Sequence, residues 1–188
     1  MKPIKYYTAD KEAWGPGPWQ QEPDKMQWTD RKTGLPCLIV RNSRTTGALC
    51  GYVGVSAGHP AYRKPYQDLD ESLRVHGGLT FSEGCREGPA NEAICHVPAP
   101  GESDDVWWLG FDCAHAFDLC PAMRATLREI RKRDPAFDEA ERKFDERLGL
   151  APRKWQDVYR NIAYVRRQTQ HLAEQLAAMG KQNGNRAR

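Results

Sequence analysis

The sequence predicts an α+β protein with an antiparallel sheet of about five or six strands covered by C-terminal helices. Short apolar runs separated by turn-forming Gly, Asn and Pro residues occupy residues 25–112, and such runs are typical of strands. Beyond residue 112, apolar side chains recur every three or four positions, which is the spacing of amphipathic helices. A run of strands followed by a run of helices indicates the α+β class.

The 188 residues predict one domain with four regions. Residues 1–24 are expected to be irregular, because two prolines and two glycines interrupt residues 14–19. Residues 25–120 are expected to form the β-rich core with the candidate site. Residues 121–180 are expected to form a helical region that packs on the sheet or on a partner, and residues 181–188 a frayed tail.

Apolar runs within the core predict the strands. Four of them are predicted at residues 25–30, 35–40, 48–55 and 106–111. A further strand is expected from about residue 73 through the glycine pair at 77–78, and a short one at 94–97. The polar connection over residues 56–73 is long enough to predict a functional flap.

Three helices are expected in the C-terminal part. The first two are predicted at residues 122–132 and from Asp134-Pro135 to Gly149. The last one starts near Trp155, ends at Gly180 and carries a three-heptad seam of Val158, Ile162, Val165, Thr169, Leu172, Leu176 and Met179. This seam fits a helix that packs within its own chain, and it also fits a helix paired with a second copy in a homodimer through residues 155–179.

The net charge of +3 hides an asymmetry, because residues 1–120 sum to −4 and residues 121–188 to +7. The basic part is either a solvated, Arg-rich surface or a surface that binds a host protein or nucleic acid. The chain contains no apolar run of ~18 residues, so no membrane span is expected. The first residues lack the apolar segment of a signal peptide, which predicts the cytoplasm. The six cysteines should then be mostly thiols.

The first candidate site combines Asp112 and His115, spaced D-x-x-H at the end of a predicted strand, with His76 from another strand. Two histidines and one carboxylate can bind one divalent metal ion and activate water for hydrolysis. Without a metal, either histidine could act as a general base oriented by Asp112. The structural alternative is that Asp112 caps the segment that begins at Cys113, while the histidines bond backbone carbonyls.

The second candidate site is rich in thiols, with Cys85, Cys95, His96, Cys113 and His115 as its members. These residue types are zinc ligands. Neighbours on a strand point to opposite faces, so Cys95 and His96 are not expected to bind one ion together. Cys113 beside His115 could also be a nucleophile, whereas a buried cysteine otherwise serves as a small apolar filler.

The third candidate site is the segment from His76 to Thr80, whose two glycines would let a phosphate or carboxylate approach backbone N–H groups. A β-bulge would explain the same glycines. Trp108 could stack on a ligand, and His59 on the long connection could close over it. The predicted ligand-binding set is therefore His59, His76, Gly77, Gly78, Thr80, Trp108, Asp112 and His115.

Several segments within residues 20–180 resemble a family of small bacteriophage and prophage proteins. The segments that carry the resemblance are Gly51-Tyr52-Val53-Gly54-Val55, Val75-His76-Gly77-Gly78-Leu79-Thr80, Trp107-Trp108-Leu109-Gly110-Phe111-Asp112-Cys113-Ala114-His115 and Tyr159-Arg160-Asn161-Ile162-Ala163-Tyr164-Val165. Relative to the family pattern, residues 121–150 look like an insertion. The resemblance implies a role in interfering with host defence, by binding or cleaving a nucleotide signal.

Three functions follow as hypotheses. The leading one is a phage-type accessory protein that binds a small polar ligand, such as a nucleotide immune signal, in the predicted ligand-binding set. The second is a metal-dependent hydrolase that uses His76, Asp112 and His115 around one divalent ion. The third is an interaction module that binds a host protein or nucleic acid through the basic helices, with a steep dependence on salt.

Overall fold

The computed structural model describes residues 2–69, 71–86, 88–89, 93–98, 101, 103–134, 136–147 and 157–186. These residues form one antiparallel sheet and three α-helices, which confirms the predicted α+β class. The strands are β1 Ile4–Tyr6, β2 Lys25–Thr29, β3 Pro36–Arg41, β4 Leu49–Ser56, β5 Phe81–Gly84 and β6 Val106–Asp112. The helices are α1 Pro121–Arg133, α2 Ala136–Arg147 and α3 Ile162–Arg186. The spatial order of the strands is β1-β2-β3-β4-β6-β5.

The predicted strands correspond to the sheet in four cases, namely β2, β3, β4 and β6. The prediction of a strand from about residue 73 through the glycine pair is wrong, because Gly77 and Gly78 have φ angles of 68° and 87°, which strands do not adopt. Pairing begins only at Phe81, as β5. The predicted strand at 94–97 is reduced to a single bridge between Arg86 and Ile94, and β1 lies in the segment expected to be irregular.

One face of the sheet packs against α3, and the core is built there. Val165, Leu172 and Leu176 of α3 are fully buried in one cluster with Val53 of β4 and Leu109 of β6. These helix residues belong to the predicted heptad seam. This part of the seam is therefore covered within the same chain, and the homodimer through residues 155–179 stays a prediction.

The ends of the helices differ from the prediction. Helix α3 begins at Ile162 rather than near residue 155, and it continues through Gly180, because a single glycine lowers helix propensity without ending a helix that is held by packing. Trp155 and Gly149 lie outside the described residues. The predicted cap of α2 is present, since the Asp134 carboxylate accepts a hydrogen bond from the Ala136 N–H (3.0 Å). No helix among the described residues is long and apolar enough to cross a bilayer.

A buried network of charged groups attaches the start of α3 to the sheet. Arg41 on β3 donates from Nε to Asp24 Oδ1 (3.0 Å) and from Nη2 to Glu22 Oε2 (3.2 Å). The second oxygen of Glu22 accepts the Ile162 N–H (2.8 Å) at the first turn of α3, and the Tyr159 hydroxyl also donates to Glu22. Because each charge has a partner, the network fixes the position of residues 159–164 beside the sheet.

The opposite face of the sheet is covered by the segment that contains residues 93–97. Gln27 on β2 holds this segment, donating to the Val97 carbonyl (3.0 Å) and accepting from the Val97 N–H (3.1 Å). Cys85 and Cys95 form a disulfide at its base. The other four cysteines are free and buried, which agrees with the expectation that the six are mostly thiols.

Candidate metal centre

His76, His115 and Asp118 converge where the turn before β5 meets the chain that leaves β6. His76 Nε2 lies 2.7 Å from Asp118 Oδ2, and His115 Nδ1 lies 3.7 Å from the same oxygen. The ligand atoms of the three side chains all lie within 4.8 Å of one another. Sequence reasoning paired His76 with His115 and missed Asp118, although residues 112–118 carry the spacing D-x-x-H-x-x-D.

Asp118 is the most constrained member of the cluster, with a side chain only 1% exposed. Its Oδ1 accepts a hydrogen bond from Arg160 Nε (2.8 Å), and its Oδ2 accepts the His115 N–H (3.2 Å). Burial alone would raise the pKa of the Asp118 carboxyl, but hydrogen bonds from His76 and Arg160 hold that pKa below its usual range. His76 and Arg160 therefore keep the Asp118 carboxylate ionised, and the carboxylate in turn orients both side chains.

The second ring nitrogen of His76 is also held, because Nδ1 lies 3.0 Å from the Tyr164 hydroxyl on α3. Two guanidinium groups lie over the Tyr164 ring, that of Arg160 at 5.0 Å and that of Arg167 at 5.9 Å from the ring centroid. No local sequence signal identifies Arg160 or Tyr164, since both come from a segment more than 80 residues beyond His76.

His115 presents an unsatisfied nitrogen to this cluster. Its Nδ1 is buried and has no hydrogen-bond partner within the described part of the chain, although it lies 3.8 Å from Asp112 Oδ1. The ring packs on Gly77, where an added Cβ would lie 2.1 Å from His115 Cε1. Gly77 thus serves two needs that its sequence context did not reveal, a positive φ and room for the imidazole.

The donor set matches what a divalent transition metal needs. Metal–ligand distances of about 2.0–2.1 Å place tetrahedral ligand atoms about 3.4 Å apart, and the observed separations of 2.7 and 3.7 Å from Asp118 Oδ2 lie on either side of that value. Two of the ligands also have the outer partners typical of metal sites, Tyr164 for His76 and Arg160 for Asp118. Three protein ligands would leave a fourth position open.

Two residues of the predicted ligand-binding set, His59 and Trp108, lie away from the cluster of His76, His115 and Asp118. His59 packs on α3, where its Nδ1 accepts the Ala61 N–H (3.1 Å) and its Nε2 lies 2.9 Å from the Leu176 carbonyl oxygen. Both nitrogens therefore serve the backbone. Trp108 is fully buried on the opposite face of the sheet, where no ligand can stack on it.

The remaining members of that set shape the turn after His76 or make hydrogen bonds with the backbone. Gly77 and Gly78 form the turn after His76, with φ angles of 68° and 87°. Thr80 is exposed and donates its N–H to the Gly110 carbonyl (2.9 Å), which leads the chain into β5. Asp112 ends β6 and accepts the Ala114 N–H (2.9 Å) while facing His115.

Among the described residues the thiol candidates are one disulfide and one buried thiol. Burial raises the pKa of the Cys113 thiol, which is only 2% exposed, so the group remains protonated and unsuited to act as a nucleophile. Cys85 and Cys95 are bonded to each other, and a disulfide sulfur is not a thiolate ligand. His96 packs edge-on against Trp108, with the ring centroids 5.5 Å apart.

No protein-family model, curated protein or solved structure matches the chain. Function is therefore argued from the geometry of the site and the chemistry of its residues.

Proposed function

We propose that the chain is a metal-dependent hydrolase of phosphoesters, whose single divalent ion is bound by His76, His115 and Asp118. The observation that carries the proposal is the buried His115 Nδ1, which has no hydrogen-bond partner among the described residues and lies 3.7 Å from Asp118 Oδ2. A buried polar atom without a partner is rare and unfavourable. An ion between the two histidines and Asp118 would satisfy it.

The charges around the site favour an anionic substrate. Arg160 donates a hydrogen bond from Nε to Asp118, and the guanidinium of Arg167 contacts the Tyr164 ring. Neither Nη group of Arg160 nor the guanidinium of Arg167 is paired with a carboxylate within the described ranges. Planar guanidinium groups bind phosphate oxygens well, so these two side chains would hold a phosphoester beside the ion.

The reaction needs a water activated beside the ion and a group that takes its proton. A bound divalent ion lowers the pKa of water toward neutrality. Asp112, with a side chain 34% exposed and 3.8 Å from His115 Nδ1, is placed to accept the proton. The water oxygen would bond to phosphorus as the bond to the leaving alcohol breaks, and the proton accepted by Asp112 would return through solvent to the alcohol oxygen.

A phosphoester substrate is also compatible with the role that the resemblance to phage proteins implies. Nucleotide signals contain phosphoester bonds, so a protein that counters host defence could cleave one at this centre. The role and the identity of the nucleotide are part of the proposal.

Metal binding is tested first, by elemental analysis and by calorimetric titration of the metal-free protein with Zn²⁺ and Mn²⁺. The wild type should bind about one equivalent, and His115→Ala should lose it. His171→Ala is the matched control, because His171 is an exposed histidine of α3 that is not among the three ligand side chains. Absence of binding by the wild type, or equal binding by His115→Ala, would overturn the proposal.

Activity is tested with bis(p-nitrophenyl) phosphate and p-nitrophenyl phosphate as probes. The metal-loaded protein should release p-nitrophenol from at least one of them, and a chelator should abolish the release. Arg167→Gln should raise KM while the metal content stays unchanged. A loaded protein that cleaves neither probe would limit the centre to metal binding.

A further inference from the structure

A second group of side chains with metal-binding atoms lies on the face of the sheet opposite α3, where Cys85, Cys95 and His96 converge. The ligand atoms of these three side chains all lie within 4.8 Å of one another. All three residues are half-buried, so a reductant and a metal ion can both reach them. None of them belongs to the metal centre proposed above. The two groups can therefore be tested independently.

The convergence of Cys95 and His96 follows from the irregular backbone of their segment. Neighbouring side chains point to opposite faces on a strand, and here the predicted strand is reduced to a single bridge at Ile94. The reason for expecting Cys95 and His96 not to bind one ion together therefore does not apply. Cys85 reaches the same place from the end of β5, one residue before Arg86, which forms that bridge.

Hydrogen bonds hold this segment in place independently of the disulfide. The Lys25 ammonium on β2 donates to the Cys95 carbonyl (2.8 Å). Gln27, also on β2, makes two hydrogen bonds with the backbone of Val97, the residue that follows His96 (3.0 and 3.1 Å). Reduction of the disulfide would therefore leave the three side chains close together, which lowers the entropic cost of binding an ion between them.

We propose that reduction of the Cys85–Cys95 disulfide creates a zinc site, in which the two thiolates and His96 bind one Zn²⁺ ion. Thiolate and imidazole are ligands that zinc prefers, and three protein ligands would leave a fourth position open. Two thiolates at about 2.3 Å from a tetrahedral zinc ion lie about 3.8 Å apart. Rotation of the side chains reaches such separations from a cluster whose ligand atoms already lie within 4.8 Å.

The formation of the site consumes a reductant and releases protons. A dithiol transfers two electrons and two protons to the bond between Cys85 and Cys95. The S–S bond breaks, two thiols form, and the dithiol itself becomes a disulfide. Zn²⁺ then displaces one proton from each thiol as the two Zn–S bonds form. The site therefore exists only in the reduced protein.

The test uses Co²⁺ as a probe, because cobalt bound to thiolates has a near-ultraviolet charge-transfer band that a centre of histidine and aspartate ligands lacks. The wild type is titrated anaerobically before and after reduction by a phosphine, which takes up an oxygen atom from water as it is oxidised. The reduced protein should develop the band to saturation and lose it when Zn²⁺ displaces the cobalt. The oxidised protein should show no band. His115→Ala should behave like the wild type, which separates this site from the centre proposed above.

Variants of the three ligands test the location. The double variant Cys85→Ser, Cys95→Ser should lose the band, although the four buried thiols remain. His96→Ala should weaken cobalt binding by at least about tenfold, and the exposed His171→Ala is its matched control. Circular dichroism checks the fold, and Cys95→Ser alone replaces a double variant that does not fold. A reduced wild type without the band, a band that persists in the cysteine variant, or unchanged affinity in His96→Ala would overturn the proposal.

Discussion

His76 Nε2 lies 2.7 Å from Asp118 Oδ2, and 42 residues of chain separate the two side chains. The contact joins the turn before β5 to the segment that follows β6. Arg160, which precedes α3, binds the other Asp118 oxygen at 2.8 Å. One buried carboxylate thus connects three parts of the chain.

Asp118→Asn should lower the free energy of unfolding by about 2–4 kcal/mol, because it removes the negative partner of Arg160 from a side chain that is 1% exposed. Asp112→Asn should cost less than about 1 kcal/mol, since Asp112 is 34% exposed and its ion pair with His115 is long, at 3.8 Å. Urea denaturation of both variants measures the difference. An equal decrease in the free energy of unfolding in both variants would show that Asp118 does not organise the site.

Gly77→Ala should destabilise the protein by about 2–4 kcal/mol, because the new Cβ would meet the His115 ring at 2.1 Å in addition to the strain of a positive φ. Gly34→Ala is the matched control, since Gly34 has a φ of 76° and no atom within 4 Å of the added Cβ. It should lose only about 1 kcal/mol. Thermal and chemical unfolding measure both. A loss in Gly77→Ala no greater than in Gly34→Ala would contradict the contact with His115.

Replacing Cys85 and Cys95 by serine should lower the free energy of unfolding by about 2–3 kcal/mol, because the disulfide closes a short loop of the unfolded chain, with a sequence separation of 10. A reductant should have a similar effect on the wild type and little effect on the double variant. Denaturation with and without reductant measures this. Reductant-sensitive stability in the double variant would place the redox-sensitive group elsewhere.

The burial of Lys25 predicts that the free energy of unfolding rises with pH on the alkaline side. Burial lowers the pKa of Lys25 from 10.5 to about 8 in the folded protein, so between these values the unfolded chain binds more protons than the folded one. The free energy of unfolding should therefore rise from pH 8 to 10.5, by at most about 3 kcal/mol.

The measurement compares the wild type with Lys25→Met over that pH range, because other groups also titrate there. Only the difference between the two profiles reports on Lys25. A difference that is flat with pH, or that falls as pH rises, would show that the ammonium is not penalised by burial.

The strand predictions were correct where the local sequence pattern decides the structure. One was wrong where the backbone φ angles decide it. Alternation and apolar content identified β2, β3, β4 and β6, because each run must bury side chains on both faces of a covered sheet. The segment through His76 also contains apolar residues, namely Leu73, Val75 and Leu79. Its two glycines adopt positive φ, which composition does not reveal, and the strand begins only at Phe81.

The sequence by itself determined the fold class and the covering helix, since hydrophobic periodicity is a local property. The pairing of His76 with the D-x-x-H segment was a hypothesis, because the two segments are distant in the chain. Only the tertiary structure decided that Asp118 binds both His76 and Arg160, that Tyr164 joins them, and that Trp108 is buried on the far face. The reason is physical. Contacts between distant segments depend on strand order and on where α3 is anchored, and the buried pairing of Glu22 with Arg41 sets that anchor.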